Sequence, residues 1–474
     1  MTARKHRTGD RGQKPAGGDA PAADGLAADL LNAAVAATAQ LLTFVLPADA
    51  ALSAFFRARR SGARDRAFIA ETAYAVLRRK RLLERLAATG PNLEAAFLAP
   101  GSVSTRAPKR GPRNGTKPTG TRRISPRELV LLSLSRVRGM SQRRLEGALL
   151  PGEAEWLADI RRQPEPELTL AEQLDFPDWL VERLASRMSP EELLALARAL
   201  NTPASLDLRV NSLKAEREGV IKRLAADGIV ATPCPYSPVA LRLKTKPYLQ
   251  KHPAYLDGSI EVQDEGSQLL GYLLAPKRSE MVVDFCAGAG GKTLILGALM
   301  RSTGRLYAFD VSDKRLARLK PRAARAGLSN VHPACLSGEN DTRVKRLAGK
   351  VDRVLVDAPC SGLGTLRRNP DLKWRQSPMS VDELTAKQAA ILAAASRLLK
   401  PGGRLVYATC SILAEENEGI VDAFLATHAD FHRLSAQEVL AAQGIVIDCG
   451  EDMRLSPQKH GTDGFYAAVL ERAK

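Results

Sequence analysis

Two cysteines of this 474-residue chain, Cys360 and Cys410, carry the settings that best suit covalent chemistry. Cys360 follows the apolar run DRVLVD in the string DAPCSGLGT, and Cys410 follows RLVYAT in the string ATCS. Each sits just past the end of an expected strand, where the ligand-facing groups of open α/β sheets gather. Neighbouring strands would put both thiols in one cleft, with Asp357 beside them. The thiolate is the nucleophilic form, and a free thiol has a pKa of about 8.5, so the reacting sulfur needs a cationic or hydrogen-bonding setting. Lys292, Arg367, Arg368 and Lys373 are the candidates for that. Cys234, Cys335 and Cys449 read as inert core residues, and Cys286 reads as lining a loop without chemistry. The six cysteines form no C-x-x-C pair, so no metal site or disulfide framework is expected, and a reducing, cytoplasmic compartment is.

The loop is DFCAGAGGKT, residues 284–293. A phosphate-binding loop would need glycine at 286, where Cys286 stands; a dinucleotide fingerprint would need glycine at 293, where Thr293 stands. The frame is nonetheless strand–loop–helix: MVVDF before, KTLILGALM after. Small residues let a ligand approach the backbone, and the helix start offers free N–H groups. A second strand, RLYAFD, ends in Asp310, where a carboxylate can hold a ribose diol. The loop therefore binds an adenosine-like ligand, with or without phosphate. One reaction wants thiols beside such a ligand. Carbon 5 of cytosine is a poor nucleophile, but a thiolate added at carbon 6 makes the ring an enamine that attacks an electrophilic methyl. A hydrogen bond or proton at ring nitrogen 3, suited to a neighbouring Asp, stabilises the adduct, and a second thiol can assist its release.

The elements that must position these groups fall into four stretches. Residues 1–25 read as a disordered basic tail. Residues 26–165 read as helical, with an apolar stripe of Phe68, Ile69, Thr72, Ala73, Val76 and Leu77. Arg78, Arg79, Lys80, Arg81 and Arg85 flank that stripe, in the plainest reading as a solvated face. Within this stretch, residues 101–123 hold seven basic and no acidic residues, a mobile insert or linker. Ser125 with Glu128 reads as a capping box. Residues 166–275 read as a linking α/β unit, strand–helix–strand over 206–234. Residues 276–474 read as a doubly wound, mostly parallel sheet closed by a hairpin-like pair, GIVID and GFYAAVLER. The chain is multidomain, and no transmembrane span is expected. Lys and Arg number 70 against 52 Asp and Glu, a net charge of +18 that points to a nucleic-acid partner.

The strings DFCAGAGGKT, YAFDVSDKRL, DRVLVDAPCSGLGTLRRNPDLKW, LVYATCSILAEENE and HGTDGFYAAVL together resemble the NOP/Sun family of S-adenosylmethionine-dependent RNA cytosine-5 methyltransferases. Within it the chain is most similar to the bacterial 16S ribosomal RNA branch (Sun or Fmu). RDRAFIAETAYAVLRR resembles the NusB-type RNA-binding domain of that branch. The resemblance implies an all-α NusB-like domain, a linking α/β RNA-binding unit and a Rossmann-like methyltransferase domain. It implies Cys410 as nucleophile, Cys360 in product release, and Asp357 against the cytosine and the methionine end of the cofactor. It implies that Cys286, Ala287, Gly288, Ala289, Gly290, Gly291 and Lys292 wrap S-adenosyl-L-methionine, that Asp310 holds its ribose, and that Asp341 lies near its adenine. The partner implied is RNA, 16S rRNA or a small-subunit assembly intermediate, with no membrane and no metal. Two departures stand out: Gly288 and Ala289 replace the family's Ala-Pro, and Asn340–Asp341 replaces its Gly-Asp. The same chemistry on tRNA, another RNA or DNA stays open, as does a non-catalytic ribosome-assembly factor. An NAD-dependent oxidoreductase would explain the loop and Asp310 but not the paired thiols.

Overall fold

The computed structural model describes residues 25–90, 93 and 124–474. The expected tail, apart from its last residue, and the basic insert 101–123 lie outside the described residues.

The N-terminal unit is all-helical among those residues. Helices Ala28–Leu41, Ala48–Ala58, Ala63–Arg78 and Lys80–Thr89 precede Pro126–Leu132 and Glu153–Arg162. The alanine-rich first helix forms because Leu31, Ala34, Ala37, Thr38 and Leu41 recur on one buried stripe. The stripe of the third helix buries Ile69, Thr72, Ala73, Val76 and Leu77 as expected, with Phe68 packed at its edge. Ser125 and Glu128 form the capping box, with Pro126 in the first turn. The flanking cations are not a plain solvated face. Arg79 pairs with Asp175 at 3.2 Å and Arg81 with Asp178 at 2.7 Å, so part of the run docks this unit onto the next. Among the described residues no helix is long and apolar enough to cross a membrane.

The linking stretch has two parts. Helices Leu170–Leu174, Asp178–Ala185 and Pro190–Leu200 bury Leu174, Phe176 and Leu196 against Leu363, Leu366 and Leu413 of the C-terminal unit. A four-stranded antiparallel sheet follows: β1 (Leu206–Val210), β2 (Ala231–Pro233), β3 (Ala240–Leu243) and β4 (Ile260–Val262), in the order β2-β3-β1-β4. Helix Arg217–Ala226 covers it through Val220 and Leu224. The strand–helix–strand reading catches β1 and β2. It misses β3 and β4.

The C-terminal unit is built on an eight-stranded mixed sheet. Its strands are β5 (Met281–Asp284), β6 (Arg305–Asp310), β7 (Val331–Cys335), β8 (Val351–Asp357), β9 (Leu399–Thr409), β10 (Phe431–Leu434), β11 (Met453–Leu455) and β12 (Phe465–Arg472). β7, β6, β5, β8 and β9 run parallel, and antiparallel β12 lies against β9. Val282, Val283, Leu355, Val356, Val406 and Tyr407 are completely buried, as strands covered on both faces require. Helix Glu265–Leu274, buried along its whole length, packs on one face, and helix Pro378–Ser396 on the other. The closing pair differs from expectation. GIVID (444–448) is not a strand, because the free edge of β12 is already taken by β10 from Val469 to Arg472 and by β11 from Phe465 to Ala467. Ile445 and Ile447 instead drop into the core from a loop.

Candidate active site

Chain order reverses at β5, which has β6 on one side and β8 on the other. The crevice above such a switch point is where ligands of open α/β sheets bind. The loop leaving β5 lies in it. Gly288 N–H donates to the Asp310 carboxylate at 2.8 Å, and Ala287 N–H to the Phe309 carbonyl at 2.8 Å, so the loop is stitched to the end of β6. Gly290 has φ +89°, and a β-carbon there would lie 2.2 Å from Leu319 Cδ1; only glycine fits. Gly288, at φ +56°, has nothing within 4 Å of its would-be β-carbon, which faces open space. Asp284 is fully buried, accepts from Thr293 Oγ1 at 2.7 Å, and keeps its Oδ1 without a partner. Burial, then Asp357 and Asp310, push its carboxyl up to about 7. Burial and the same three carboxylates push the Cys286 thiol up as well, so Cys286 stays neutral. Of the three carboxyls around the loop, Asp357 pairs with Lys292 and Asp310 with Arg315, while Asp284 has no ion-pair partner among the described residues, which leaves the balance tilted toward a cation.

β8 and β9 are parallel neighbours with Asp357 opposite Ala408, so the loops that follow them meet. The Sγ atoms of Cys360 and Cys410 lie 3.4 Å apart. The hydrogen bond to Cys410, burial, and the nearby Glu416 carboxylate push the Cys360 thiol well up. Lys292 Nζ sits 2.7 Å from Asp357 Oδ2. Burial alone would lower its pKa, but Asp357 outweighs burial and the ammonium is held charged, with Cys410 also in its field. Of the four candidate cations, Lys292 alone is brought to the thiols. Arg367 donates to the Gly461 and Thr462 carbonyls. Arg368 pairs with Asp264 and Asp463. Lys373 is completely buried, donates to the Arg78 carbonyl and Asn201 Oδ1, and belongs to the seam with the N-terminal unit.

Comparison with known proteins puts this geometry in a family. The sequence profile of the "16S rRNA methyltransferase RsmB/F" family matches residues 271–471, and that of the "Methyltr_RsmF/B-like, ferredoxin-like domain" matches residues 176–249. The "Probable ribosomal RNA small subunit methyltransferase B" of Synechocystis sp. is 38% identical over 312 residues, 65% of this chain and 69% of that protein. This chain belongs to the RsmB/F family. The "Ribosomal RNA small subunit methyltransferase B" of Sodalis glossinidius is 35% identical over 319 residues, 66% of this chain and 70% of that protein. The crystal structure of PH0851 superposes with a TM-score of 0.73 at 26% identity, covering 94% of this chain and 99% of that one.

RsmB/F proteins are RNA methyltransferases, and the cofactor is S-adenosyl-L-methionine. The loop fits it. Open space faces Gly288, Asp310 has lone pairs left for hydroxyls beyond those taken by Gly288, Ser312 and Arg315, and the acidic wall suits a sulfonium and an α-ammonium group. A pH dependence follows. A bound cation favours ionised Asp284, so binding lowers its pKa and releases a proton. Cofactor affinity is therefore expected to rise as the pH climbs toward about 7, by at most about tenfold per unit, and to level off above it. Asp284→Asn should flatten the profile, as isothermal titration at several pH values would show; an unchanged slope in Asp284→Asn would contradict this.

The RsmB/F site contains residues that motif reading missed. Glu416 is completely buried and clamps both thiol loops. Its Oε2 accepts from Ser361 Oγ and Ser411 Oγ, both at 2.5 Å, and its Oε1 accepts from Ser361 N–H at 2.8 Å and Gln388 Nε2 at 3.0 Å. Each serine directly follows one of the two cysteines. The repeated Cys-Ser, with the acidic run AEENE shortly after the second, is the signal that could have found it. Gly364 is a second such group. Its N–H donates to the Cys410 carbonyl at 2.8 Å, and its carbonyl accepts from Gly464 N–H at 2.8 Å. A β-carbon at Gly364 would lie 2.2 Å from the Gly464 oxygen and 2.8 Å from the Cys410 oxygen. Gly364→Ala is therefore expected to displace Cys410 and cut methyl transfer about 10²-fold while cofactor affinity holds; initial rates and cofactor titration on the same sample check it.

Asp341 stands apart from the thiols, at the start of helix Thr342–Arg346 after β7. It accepts from the Arg343 and Ser337 backbone N–H groups at 2.8 and 3.0 Å and from Ser337 Oγ at 3.1 Å. Those bonds hold its carboxyl below the ordinary range and tie down the loop that ends β7. Cys335 ends β7 half-buried rather than in the core, while Cys234 and Cys449 are buried.

Proposed function

We propose that this chain methylates carbon 5 of a cytosine in 16S rRNA through a transient bond between Cys410 and carbon 6 of the base. One observation carries the reading: two thiols 3.4 Å apart beside the Lys292–Asp357 pair, above the cofactor loop. Bound S-adenosyl-L-methionine supplies a methyl group made electrophilic by its sulfonium. Cys410 gives up its proton to water and adds to carbon 6; the displaced electron pair enriches carbon 5. Asp357 accepts a hydrogen bond from the exocyclic amine, and the Lys292 ammonium supports the charge that builds on ring nitrogen 3. Carbon 5 takes the methyl, and the pair from the broken sulfur–carbon bond stays on the donor sulfur. The carbon 5 proton then leaves to water, the 5,6 double bond re-forms, and the Cys410–carbon 6 bond breaks with its pair returning to sulfur. Cys360, which keeps its proton, offers an S–H hydrogen bond to the departing Cys410 thiolate. In this reading residues 286–292 and Asp310 hold the cofactor, and Asp341 lies near its adenine. The N-terminal helical unit is a NusB-like RNA-binding domain, and the enzyme works in the cytoplasm.

The test uses labelled S-adenosyl-L-methionine and an unmodified 16S rRNA transcript, followed by digestion to nucleosides. Label in 5-methylcytidine is expected. Label in any other nucleoside would overturn the carbon 5 assignment, and label appearing with tRNA but not with 16S rRNA would overturn the substrate.

A further inference from the structure

Three units of the chain meet at one seam beside the catalytic loop, and the seam is rich in cations. Arg78, the last residue of helix Ala63–Arg78, donates from Nη2 to the Arg367 carbonyl at 3.0 Å. Arg367 Nη1 reaches the Gly461 carbonyl at 3.0 Å, and Arg242 Nη2, on β3, reaches the same oxygen at 3.3 Å. Lys246, exposed just beyond β3, stands in the field of Arg368, Arg78 and Arg367. Two of these five cations are neutralised: Arg242 by Asp207 through two bonds of 2.8 Å, and Arg368 by Asp264 at 2.9 Å and Asp463 at 2.5 Å. The other three are not. Among the described residues no carboxylate lies within 4.0 Å of Arg78, Lys246 or Arg367. The Nε atoms of Arg78 and Arg367 are buried without a hydrogen-bond partner.

The titration of these groups matches that geometry. Burial holds Arg78 down at about 10 and lowers Arg367 against the pull of Asp463, and burial together with Arg368, Arg78 and Arg367 lowers Lys246. The carboxylate-paired Arg242 and Arg368 are shifted up. Glu71, Asp264 and Asp463 lie in the field of this cluster but are engaged by Arg138 and Arg368, and cations gathered against their own repulsion without an ion-pair contact of their own suit an external anion. The position says which anion. Arg367 is three residues beyond Gly364, whose N–H holds the Cys410 carbonyl, and it bonds the Gly461 carbonyl of the segment whose Gly464 N–H holds Gly364, so the seam adjoins the loops that position the thiols.

We propose that Arg78, Lys246 and Arg367 seat one backbone phosphate of the RNA strand that enters the thiol cleft, so that the strand is gripped by all three units at once. The proposal rests on the reading that the substrate is RNA. Its test measures binding of a 16S rRNA transcript to the full chain between 50 and 300 mM KCl. Lys246 is exposed, so Lys246→Ala and Lys246→Glu should fold, with melting temperature as the check. Lys222→Ala, which removes an equal charge from the exposed face of helix Arg217–Ala226, is the control.

Lys246→Ala is expected to weaken binding about five- to tenfold at low salt and to make the slope of log K against log salt shallower by about 0.7 to 0.9. Lys246→Glu should weaken it further, and Lys222→Ala should leave affinity and slope within twofold of wild type. Wild-type affinity and slope in Lys246→Glu, or an equal loss in Lys222→Ala, overturns the seat. Methyl transfer by the wild type to the same transcript is read in parallel. Transfer with unaltered Lys246→Glu binding removes the seat alone; a wild type that neither binds nor methylates the transcript removes the RNA reading as well.

Discussion

Cys410→Ala is expected to lose methyl transfer by at least about 10³-fold, the scale on which a covalent nucleophile acts, while Cys360→Ala is expected to hold the RNA on the protein. The asymmetry comes from the protonation of the pair. Cys360 is pushed well up by its hydrogen bond to Cys410 and by burial, so it is the thiol that keeps its proton while the other attacks. Without Cys360 the adduct still forms, methyl is still transferred, and the departing sulfur has lost its hydrogen-bond donor. Protein–RNA complexes that survive a denaturing gel should then accumulate in Cys360→Ala, require S-adenosyl-L-methionine for their methylated form, and vanish in the Cys360→Ala/Cys410→Ala double variant. An adduct that persists in Cys410→Ala but not in Cys360→Ala would exchange the two roles. Methyl transfer surviving in Cys410→Ala with no adduct in any form would end the covalent mechanism.

The parts of this site that read directly from sequence are those fixed by local chain geometry. A strand ending in Asp284 followed by glycines, a second ending in Asp310, and two strands each followed by cysteine are all short-range patterns, and the parallel sheet aligns them without further information. The glycine spacing fails both phosphate templates, in keeping with a cofactor that carries no phosphate. What stayed hidden depends on contacts between distant segments. Nothing local marks Lys292 rather than Lys373 as the cation beside the thiols; the first is delivered by the helix after β5 and the second is buried under the N-terminal unit. The strand expected at 444–448 alternates correctly but finds the edge of β12 occupied. The cations after Val76 read as a solvated face until Asp175 and Asp178 arrive from the next unit. The tail and the basic insert lie outside the described residues, and their expected roles are carried no further.

Ser411→Ala and Ser361→Ala test whether the Glu416 clamp sets the spacing of the thiols. Each serine hydroxyl lies next in sequence to a cysteine and donates to the same carboxylate oxygen at 2.5 Å, and the two hydroxyls are 3.2 Å apart. Oε1 of the same carboxylate meanwhile holds the Ser361 N–H and Gln388. The carboxylate therefore works as a rivet through both loops, and Tyr407 fixes its backbone from β9 with a 2.7 Å bond to the Glu416 carbonyl. Removing one hydroxyl costs one charge-assisted hydrogen bond, about 1.5 to 3 kcal/mol, and at Ser411 also the 3.0 Å bond from Leu413 N–H, which the fold should survive with a melting point lowered by several degrees. Catalysis is less tolerant, because a displacement near 1 Å in a reacting group costs about 10²-fold. Each single variant is expected to lower kcat about 10- to 100-fold with cofactor affinity unchanged, and the double variant to lower it further. Glu416→Ala strands four donors in the interior and is expected to unfold or precipitate, so the serines are the informative positions. The discriminating readout is the pair of adduct rates: a clamp that positions sulfur slows formation and release of the Cys410 adduct together, whereas a merely structural role lowers the melting temperature and leaves both rates within twofold of wild type.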